Sequence, residues 1–262
     1  MTTESVPLLE ARGIQKRFGR VVALRGVNFR VYPGQISALL GDNGAGKSTT
    51  IKILSGALAP DDGQILIDGR AAHFTSPAEA RAAGIETVYQ DLALASTLDI
   101  AGNMFLGREK YRPPPLSWFG FLDRPTMRRE ARSALARLSV TIKSVAQPVS
   151  TLSGGQRQAV AVARAVFWGK RIVIMDEPTA ALGVRESAMV LKLIEQIREQ
   201  GIAVIMISHN LPEVFQVADR VTVLRLGQTI AEMPRSETTM NEVVGMMTGA
   251  EAEMAALANA NV

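Results

Sequence analysis

The hydrophobic residues of this chain form two patterns, short continuous apolar runs and longer stretches with helical spacing. Runs such as Ile36–Leu40 and Ile202–Ile207 have the length of strands buried on both faces of a sheet. In Val184–Gln200 the apolar residues recur every three or four positions, which predicts an amphipathic helix. The predicted strands are Leu8–Gly13, Val21–Val31, Gln35–Leu40, Gly63–Asp68, Ile85–Tyr89, Arg171–Met175, Ile202–Ile207 and Arg220–Leu224, and the predicted helices are Lys47–Leu54, one starting at Ser76, Thr126–Leu138, Gly155–Trp168, Val184–Gln200 and Leu211–Ala218.

Strands alternate with helices over most of the chain, which predicts an α/β fold with a mostly parallel sheet covered on both faces. An antiparallel β segment is expected at the N-terminal end. Between Asp91 and Gln147 helical patterns replace the strand patterns, so this segment is predicted to be an inserted helical subdomain containing the irregular proline stretch Pro113–Pro115. We therefore expect one domain over residues 8–249, with core segments 8–90 and 148–235, the insertion 91–147 and a peripheral helical tail 236–262.

Composition narrows the class of protein. The chain has 262 residues, 47% of them hydrophobic, and a net charge of +4, which does not by itself indicate binding to nucleic acid. It has no cysteine, which excludes disulfides and thiolate metal sites. No apolar run is long enough to span a membrane, and Met1–Leu9 lacks the pattern of a secretory signal. We expect a cytoplasmic protein that reaches a membrane only through another subunit.

A glycine-rich loop between a predicted strand and a predicted helix matches the phosphate-loop pattern. Its glycines allow successive backbone N–H groups to face one anion, and the following helix adds the positive end of its dipole. Lys47 is expected to contact the β- and γ-phosphates, and Ser48 to offer its hydroxyl to Mg²⁺. The loop comprises Gly41, Asp42, Asn43, Gly44, Ala45, Gly46, Lys47, Ser48 and Thr49.

A second motif is the buried strand Arg171–Met175, which ends in two adjacent acids, Asp176 and Glu177. Two acids at the end of a buried strand are costly unless they have a partner or a function. Asp176 is suited to hold hydrated Mg²⁺, and Glu177 to orient and deprotonate an attacking water. On its own the motif is equally consistent with an acidic strand end entering a loop. Together with the phosphate loop it predicts a nucleotide-hydrolysing site.

A third motif lies between the other two in the chain and resembles the signature motif of the ABC (ATP-binding cassette) ATPases. A serine and two glycines open a helix there, which presents N–H groups and a dipole end to a γ-phosphate. The order of the three motifs distinguishes this family from other phosphate-loop ATPases. The signature residues are Leu152, Ser153, Gly154, Gly155 and Gln156.

The resemblance implies roles for further residues. Gln90 corresponds to the glutamine that senses Mg²⁺ and water and links the core to the helical subdomain, and His209 to the switch histidine that contacts the γ-phosphate. Phe18 lies where the family has an aromatic residue stacked on adenine, and a core phenylalanine is the alternative. His73 has no counterpart and is expected on the surface. Trp118 and Trp168 are expected to pack rather than to bind a ligand.

One position departs from the family pattern. Gly183 stands where most ABC ATPases have an aspartate that couples the two sites of the dimer. Its surroundings are nevertheless similar to those of sugar-import ATPases. Three other stretches, Gly41–Lys47, Val88–Leu94 and Asn103–Glu109, resemble bacterial monosaccharide importers of the ribose, xylose and fructose type. The single cassette is similar to the fructose-type import ATPases.

The resemblance implies a homodimer in which Ser153–Gln156 of one chain completes the ATP site of the other, with ATP and Mg²⁺ as cofactors. It further implies a membrane permease at the cytoplasmic face of the inner membrane and an extracytoplasmic sugar-binding protein, with no contact to nucleic acid. The alternatives are an ABC exporter, an ABC ATPase acting on DNA or ribosomes, and a nucleotide-binding regulator without turnover. The retained Glu177, Gln90 and His209 disfavour the regulator.

Overall fold

The structure, a computed structural model, describes residues 6–169 and 171–249. Over these residues the strands and helices follow the predicted alternation, with a few shifted boundaries. The strands are β1 Leu9–Phe18, β2 Val21–Val31, β3 Ile36–Gly41, β4 Asp62–Ile67, β5 Arg70–Ala72, β6 Ile85–Val88, β7 Ile172–Asp176, β8 Ala203–Ile207, β9 Arg220–Arg225 and β10 Gln228–Pro234. The α-helices are α1 Lys47–Leu54, α2 Pro77–Ala82, α3 Ile100–Met104, α4 Arg124–Arg137, α5 Gly154–Trp168, α6 Val184–Glu199, α7 Leu211–Val217 and α8 Met240–Thr248.

The central sheet has six strands in the order β10-β9-β3-β8-β7-β6. All neighbours are parallel except β10, which pairs antiparallel with β9 at one edge. Both faces are buried, because alternate side chains of β3 enter different cores: Ile36, Ala38 and Leu40 one, and Leu39 the other. The prediction of a mostly parallel sheet covered on both faces is confirmed, and the parallel arrangement places the ends of β3, β7 and β8 at one edge.

A second sheet of four antiparallel strands, in the order β2-β1-β4-β5, covers one side of the central sheet. The first strand was predicted to end at Gly13, which was wrong, because β1 continues to Phe18. The polar stretch Gln15–Arg17 lacks the apolar pattern of a strand, so the sequence did not predict this continuation. It forms because β1 pairs with β2 through several irregularities of register. The edge strands β5 and β10 were also missed, because neither has a buried residue.

Residues 91–147 contain α3, α4 and the 3₁₀ helix Leu116–Phe119, and within them strand pairing is limited to isolated bridges. The buried face of α4 is the predicted one, with Met127, Ala131, Ala134 and Leu135 inward. This face shares a core with α5, α6 and one face of the central sheet. The helical segment is therefore packed onto the α/β core and not attached by a linker alone.

The two tryptophans have opposite environments. Trp168 packs edge-on against Phe105 and Phe167, with ring centroids 5.7 and 4.9 Å away, and its indole N–H donates to the carbonyl of Met104. Trp118 was predicted to pack as well, but it is 79% exposed, so that prediction was wrong. Trp118 lies in the 3₁₀ helix Leu116–Phe119, none of whose residues is buried.

Beyond β10, the predicted helical tail begins with the 3₁₀ helix Arg235–Glu237 and α8. Val243 of α8 is fully buried, so this helix is anchored to the domain. The remainder of the predicted tail, residues 250–262, and the first five residues of the chain lie outside the described residues. None of the helices in the described part of the chain combines the length and the hydropathy that crossing a bilayer requires.

Candidate active site

The glycine-rich loop joins the carboxyl end of β3 to the amino end of α1, as predicted. Two of its glycines could not be replaced without a clash. A Cβ on Gly41, which has a φ of 154°, would lie 2.5 Å from the carbonyl oxygen of Leu224. A Cβ on Gly46, with a φ of 104°, would lie 2.5 Å from Cδ2 of Leu24. At Gly41 the close approach of the Leu224 backbone excludes a side chain, and at both positions the positive φ favours glycine.

The loop presents N–H groups that no protein acceptor uses. Among the described residues, the backbone N–H groups of Gly44 and of residues 46–49 have no hydrogen-bond partner, whereas that of Thr50 donates to the Gly46 carbonyl at 2.9 Å. The first turn of α1 contains no acidic residue. These groups form an anion-binding concavity at the positive end of the helix dipole.

The side chain of Lys47 curves back over the loop. Its Nζ donates to the carbonyl oxygens of Gly41 at 2.7 Å and Asp42 at 3.0 Å. Burial lowers the pKa of Lys47, while the charges of Glu177, Asp42 and Asp176 act in the opposite direction. The Lys47 ammonium is thus held by neutral carbonyl oxygens. A negatively charged phosphate would bind this ammonium more strongly than they do.

The acid-ended strand β7 brings Glu177 next to His209. Glu177 follows the last residue of β7, and its N–H donates to the Ile207 carbonyl at the end of the neighbouring strand β8 at 2.9 Å. His209 Nδ1 lies 2.9 Å from Oε2 of Glu177. The Glu177 side chain is 16% exposed and that of His209 75%. The pairing of parallel strands therefore joins two residues that are distant in sequence.

Asp176 lies close to α1. Its pKa is raised, first because it is buried and then because of the charge of Glu177, while Lys47 and Lys52 act to lower it. A carboxylate that is disfavoured in this way would be stabilised by a nearby cation. The exposed hydroxyl of Ser48 makes no hydrogen bond within the described part of the chain, so it is free to act as a ligand.

These two groups suit Mg²⁺, which prefers a few protein oxygens and keeps ligands from phosphate and water. No cluster of three or more Asp, Glu or His residues able to hold a metal occurs among residues 6–169 and 171–249. The protein alone would therefore provide only part of the coordination shell, through Asp176 and Ser48.

The loop that follows Glu177 leads to α6 through Gly183. Glu177 itself has a φ of 51°, an uncommon conformation for a residue other than glycine. Further along, the Thr179 hydroxyl donates to the carboxylate of Glu213 on α7. Gly183 has an extended backbone, and a Cβ there would meet no atom within 4 Å. Packing within one chain therefore does not explain the departure from aspartate.

Gln90 follows β6, the strand that pairs with the acid-ended strand β7. The strand β6 ends at Val88, not at Tyr89 as predicted, so Gln90 is the second residue of the following loop. Its side chain is exposed and lines a cavity of about 340 Å³ together with Ser150 and Arg157. No hydrogen bond among the described residues joins it to Asp176 or Glu177.

Arg164 on α5 was missed by sequence reasoning. Its guanidinium donates to the carbonyl oxygens of Leu92 and Ala93, each at 2.8 Å, and so ties α5 to the loop that follows Gln90. The signal was present in the sequence, since Arg164 is the single charged residue within the apolar stretch Gln158–Trp168. An isolated charge in such a stretch requires a polar partner.

The signature motif forms the amino end of α5. Ser153 is the N-cap: its hydroxyl accepts the N–H of Gln156 at 3.3 Å, and the Gln156 side chain accepts the N–H of Ser153 at 3.0 Å. This reciprocal capping box fixes the start of the helix one residue before the predicted one. Ser153 is exposed, so the end of the helix faces outward.

Glu186 on α6 was also missed. Its carboxylate accepts the N–H of Gly155 at 3.4 Å and that of Gly183 at 3.5 Å. Its pKa is lowered, first by the Gly155 N–H and then by the Ser153 hydroxyl and the Gly183 N–H. Glu186 therefore links the signature helix to the loop that follows Glu177.

Phe18, at the end of β1, is 50% exposed, and the ammonium of Lys16 lies 6.0 Å from its ring centroid. The alternative of a core phenylalanine is therefore wrong, and stacking on adenine stays a prediction. His73 is exposed, as expected.

The structure thus brings Lys47, Asp176, Glu177 and His209 together around the phosphate loop. The signature residues Ser153–Gln156 are not part of this group: within the described part of the chain, no hydrogen bond or ion pair connects them to residues 41–49. One chain therefore holds two separate halves of the site that its motifs imply.

Known proteins are similar to this chain in both sequence and fold. The family model described as ABC transporter matches residues 24–180. The chain is 54% identical to the fructose import ATP-binding protein FrcA of Rhizobium meliloti, over 94% of this chain and 95% of that protein. It is 47% identical to the ribose import ATP-binding protein RbsA 1 of Rubrobacter xylanophilus, over 94% of this chain but 48% of that protein. A solved nucleotide-free ATP-binding cassette from an ABC transporter superposes with a TM-score of 0.79 at 25% identity, covering 92% of this chain and 98% of the other.

Proposed function

This chain belongs to the ABC transporter family of ATP-binding proteins, and on that premise we propose how its residues bind and cleave ATP to drive monosaccharide import. It is the ATP-hydrolysing subunit of such an importer. The observation that carries the mechanism is the 2.9 Å contact between His209 and Glu177 beside a loop of unpaired N–H groups. This contact fixes the Glu177 carboxylate beside an anion-binding site.

The triphosphate is bound by the loop Gly41–Thr49. The free N–H groups hold the β- and γ-phosphates, and Lys47 exchanges its carbonyl partners for phosphate oxygens. Phe18 stacks its exposed ring on the adenine. Ser48 and Asp176, together with Gln90, would hold Mg²⁺, which would neutralise charge on the phosphates.

Hydrolysis uses Glu177 as the general base. Its carboxylate takes a proton from a water molecule whose oxygen attacks the γ-phosphorus, and the bond to the β-phosphate oxygen breaks to release ADP and phosphate. His209 holds the Glu177 carboxylate in place and lies beside the γ-phosphate. Because His209 faces outward, its contact with the γ-phosphate forms when ATP is bound and is lost when that phosphate leaves.

The complete site requires two copies of the chain. The end of α5 at Ser153–Gln156 has an exposed N-cap and no contact with the phosphate loop of its own chain. In a symmetric pair, this end faces the γ-phosphate bound to the partner with the positive end of its dipole and with the Gly154 N–H, which has no acceptor among the described residues. ATP then stabilises the closed pair, and cleavage removes that stabilisation.

A permease and an extracytoplasmic sugar-binding protein complete the transporter, with this chain peripheral at the cytoplasmic face of the inner membrane. The fructose and ribose import relatives support a monosaccharide as the substrate. The identity of about half with FrcA extends over nearly the whole of both chains, and it favours a fructose-like sugar and a single cassette per chain.

Copurification with the permease, followed by ATPase assays with the sugar-binding protein across pentoses and hexoses, tests this function. We expect the loaded binding protein to stimulate hydrolysis with one sugar class. If the complex lacks such stimulation and instead moves a lipid or drug outward, the chain energises an exporter.

A further inference from the structure

Residues 111–121, here named the aromatic loop, carry an unusual density of exposed apolar side chains. Trp118 and Phe119 are 79% and 76% exposed, and Tyr111 and Phe121 are each 54% exposed. Most soluble proteins expose large apolar residues singly, and a contiguous group of them marks an interaction surface. The mechanism proposed above uses none of these residues.

The aromatic loop is a closed structure. The Arg112 N–H donates to the Phe121 carbonyl at 2.9 Å, and the Asp123 N–H donates to the Lys110 carbonyl at 2.7 Å. Between these closures the 3₁₀ helix Leu116–Phe119 carries Trp118 and Phe119. The backbone hydrogen bonds thus fix a short segment in which four aromatic side chains are each more than half exposed.

The surroundings of the loop are basic. Residues 108–132 contain seven arginines or lysines against three acids, an excess of four that equals the net charge of the whole chain. Some of these charges are paired locally, as Lys110 is with Glu130 at 2.6 Å and Arg128 with Asp99 at 3.0 Å.

Two arginines at the base of the loop, Arg112 and Arg124, form no ion pair within the described residues. The pKa of Asp123 is lowered first by hydrogen bonds from Thr126 and then by the charges of Arg112 and Arg129, neither of which forms an ion pair with it in the described part of the chain. The exposed rings are therefore flanked by cations with spare capacity for an anionic partner.

We propose that the aromatic loop binds directly to the anionic headgroup surface of the lipid bilayer. Tryptophan and tyrosine favour the boundary between headgroups and acyl chains, where their rings are partly buried. Unpaired arginines next to them add attraction to anionic lipids. Rings that are already more than half exposed can insert at this boundary. The inference uses the proposed function only in assuming that the chain works beside a membrane.

The chain has two tryptophans, so fluorescence can test the proposal with full-length protein. The variant Trp168→Phe leaves Trp118 as the sole reporter, and Trp118→Phe leaves the packed Trp168 as its matched control. Each is titrated with phosphatidylcholine vesicles with and without phosphatidylglycerol, in the absence of nucleotide and permease. We expect the Trp118 emission to shift to the blue and to be quenched by brominated lipid only with phosphatidylglycerol, and the Trp168 emission to stay unchanged. High salt is expected to weaken the binding.

Two further variants locate the contact by vesicle cosedimentation. Changing Trp118, Phe119 and Phe121 together to alanine is expected to lower vesicle affinity by about tenfold or more, since each ring loses its burial in the interface. Arg112→Glu is expected to lower it by about tenfold, because reversal removes one attraction and adds a repulsion. Arg70→Glu, on the distant strand β5, serves as the charge control and is expected to have a smaller effect.

The proposal is overturned if Trp118 emission is unaffected by excess anionic vesicles at low salt, or if Arg70→Glu weakens binding as much as Arg112→Glu. If vesicles do not bind but the alanine triple variant uncouples ATP hydrolysis from transport in the complete transporter, the loop's partner is the permease and the lipid proposal is wrong. Self-association through the loop, measured by light scattering, would likewise contradict it. ATPase activity of the same preparations reports separately on the proposed function.

Discussion

The candidate site has two halves, the phosphate-loop half and the signature half. A single chain assembles the residues of the first half but brings the second half into no contact with it. Lys47, Asp176, Glu177 and His209 lie together because β3, β7 and β8 are adjacent parallel strands whose ends coincide. The signature half, Ser153–Gln156, is an exposed helix end with satisfied caps but no contact to the first half. The difference is the one that the proposed mechanism requires, with a chemical centre preassembled within one chain and a clamp that acts only on a second copy.

The largest effect is expected from Glu177→Gln, which removes the proposed base from the preassembled half. Hydrolysis is expected to fall by about 10²–10⁴-fold, the usual contribution of a general base, while ATP affinity stays near normal because the phosphate loop is intact. Single-turnover hydrolysis and calorimetry measure the two quantities. Glu199→Gln, on the exposed end of α6, is the control. Near-normal turnover of the Glu177 variant would mean that another group activates the water.

Next in size is Ser153→Arg, which blocks the exposed half and leaves the preassembled half unchanged. Hydrolysis is expected to fall about 100-fold, typical of losing donors that stabilise transition-state charge, and ATP-dependent dimers of the Glu177→Gln protein are expected to disappear in light scattering. ATP binding by the single chain is expected to persist. Ser133→Arg, on the exposed face of α4, is the matched control. Dimers that survive the Ser153 change would disprove the role of the signature half as a clamp.

Arg164→Ala addresses the connection between α5, which carries the signature, and the loop of Gln90. It removes two charge-assisted hydrogen bonds, so the free energy of unfolding is expected to fall by about 2 kcal/mol, measured by urea denaturation. Arg164→Lys is expected to recover only part of this, since lysine lacks the fork that reaches two carbonyls. Arg132→Ala, exposed on α4, should change little. Equal stability of the Arg164 variant and the wild type would show that the link is not a structural one.

The smallest effect concerns the cost of burying Asp176. The pKa of Asp176 is raised in the folded chain above its ordinary value of 3.8. The folded state is therefore favoured while this carboxyl is protonated, at low pH. That contribution to stability is lost as the pH rises through the folded pKa and the buried carboxyl ionises. Without Mg²⁺ or nucleotide, Asp176→Asn is therefore expected to be more stable than the wild type at neutral pH, with the difference shrinking on acidification. Denaturant unfolding at neutral and acid pH measures this, with Glu237→Gln as control. An Asp176→Asn variant less stable than the wild type at neutral pH would contradict the conclusion that burial of the ionised Asp176 is destabilising.

Sequence patterns predicted the buried strands well and the surface poorly. β7 and β8 were evident because continuous apolar runs leave few alternatives. The edge strands β5 and β10 were missed, since strands without buried residues carry no apolar pattern. Trp118 was expected to pack rather than to bind a ligand, although its side chain is mostly exposed.

The chemical identity of the site was determined by the sequence, because the phosphate loop, the acid-ended strand and the signature are local motifs whose residue types and order carry the meaning. Tertiary structure alone decided which residues meet. It placed His209 against Glu177, Arg164 against the carbonyls after Gln90, and Glu186 against the signature N–H groups. The physical reason is that such contacts depend on strand order and helix packing, which are set by the whole core, so the sequence can show that a residue such as Arg164 needs a partner but not which partner it meets.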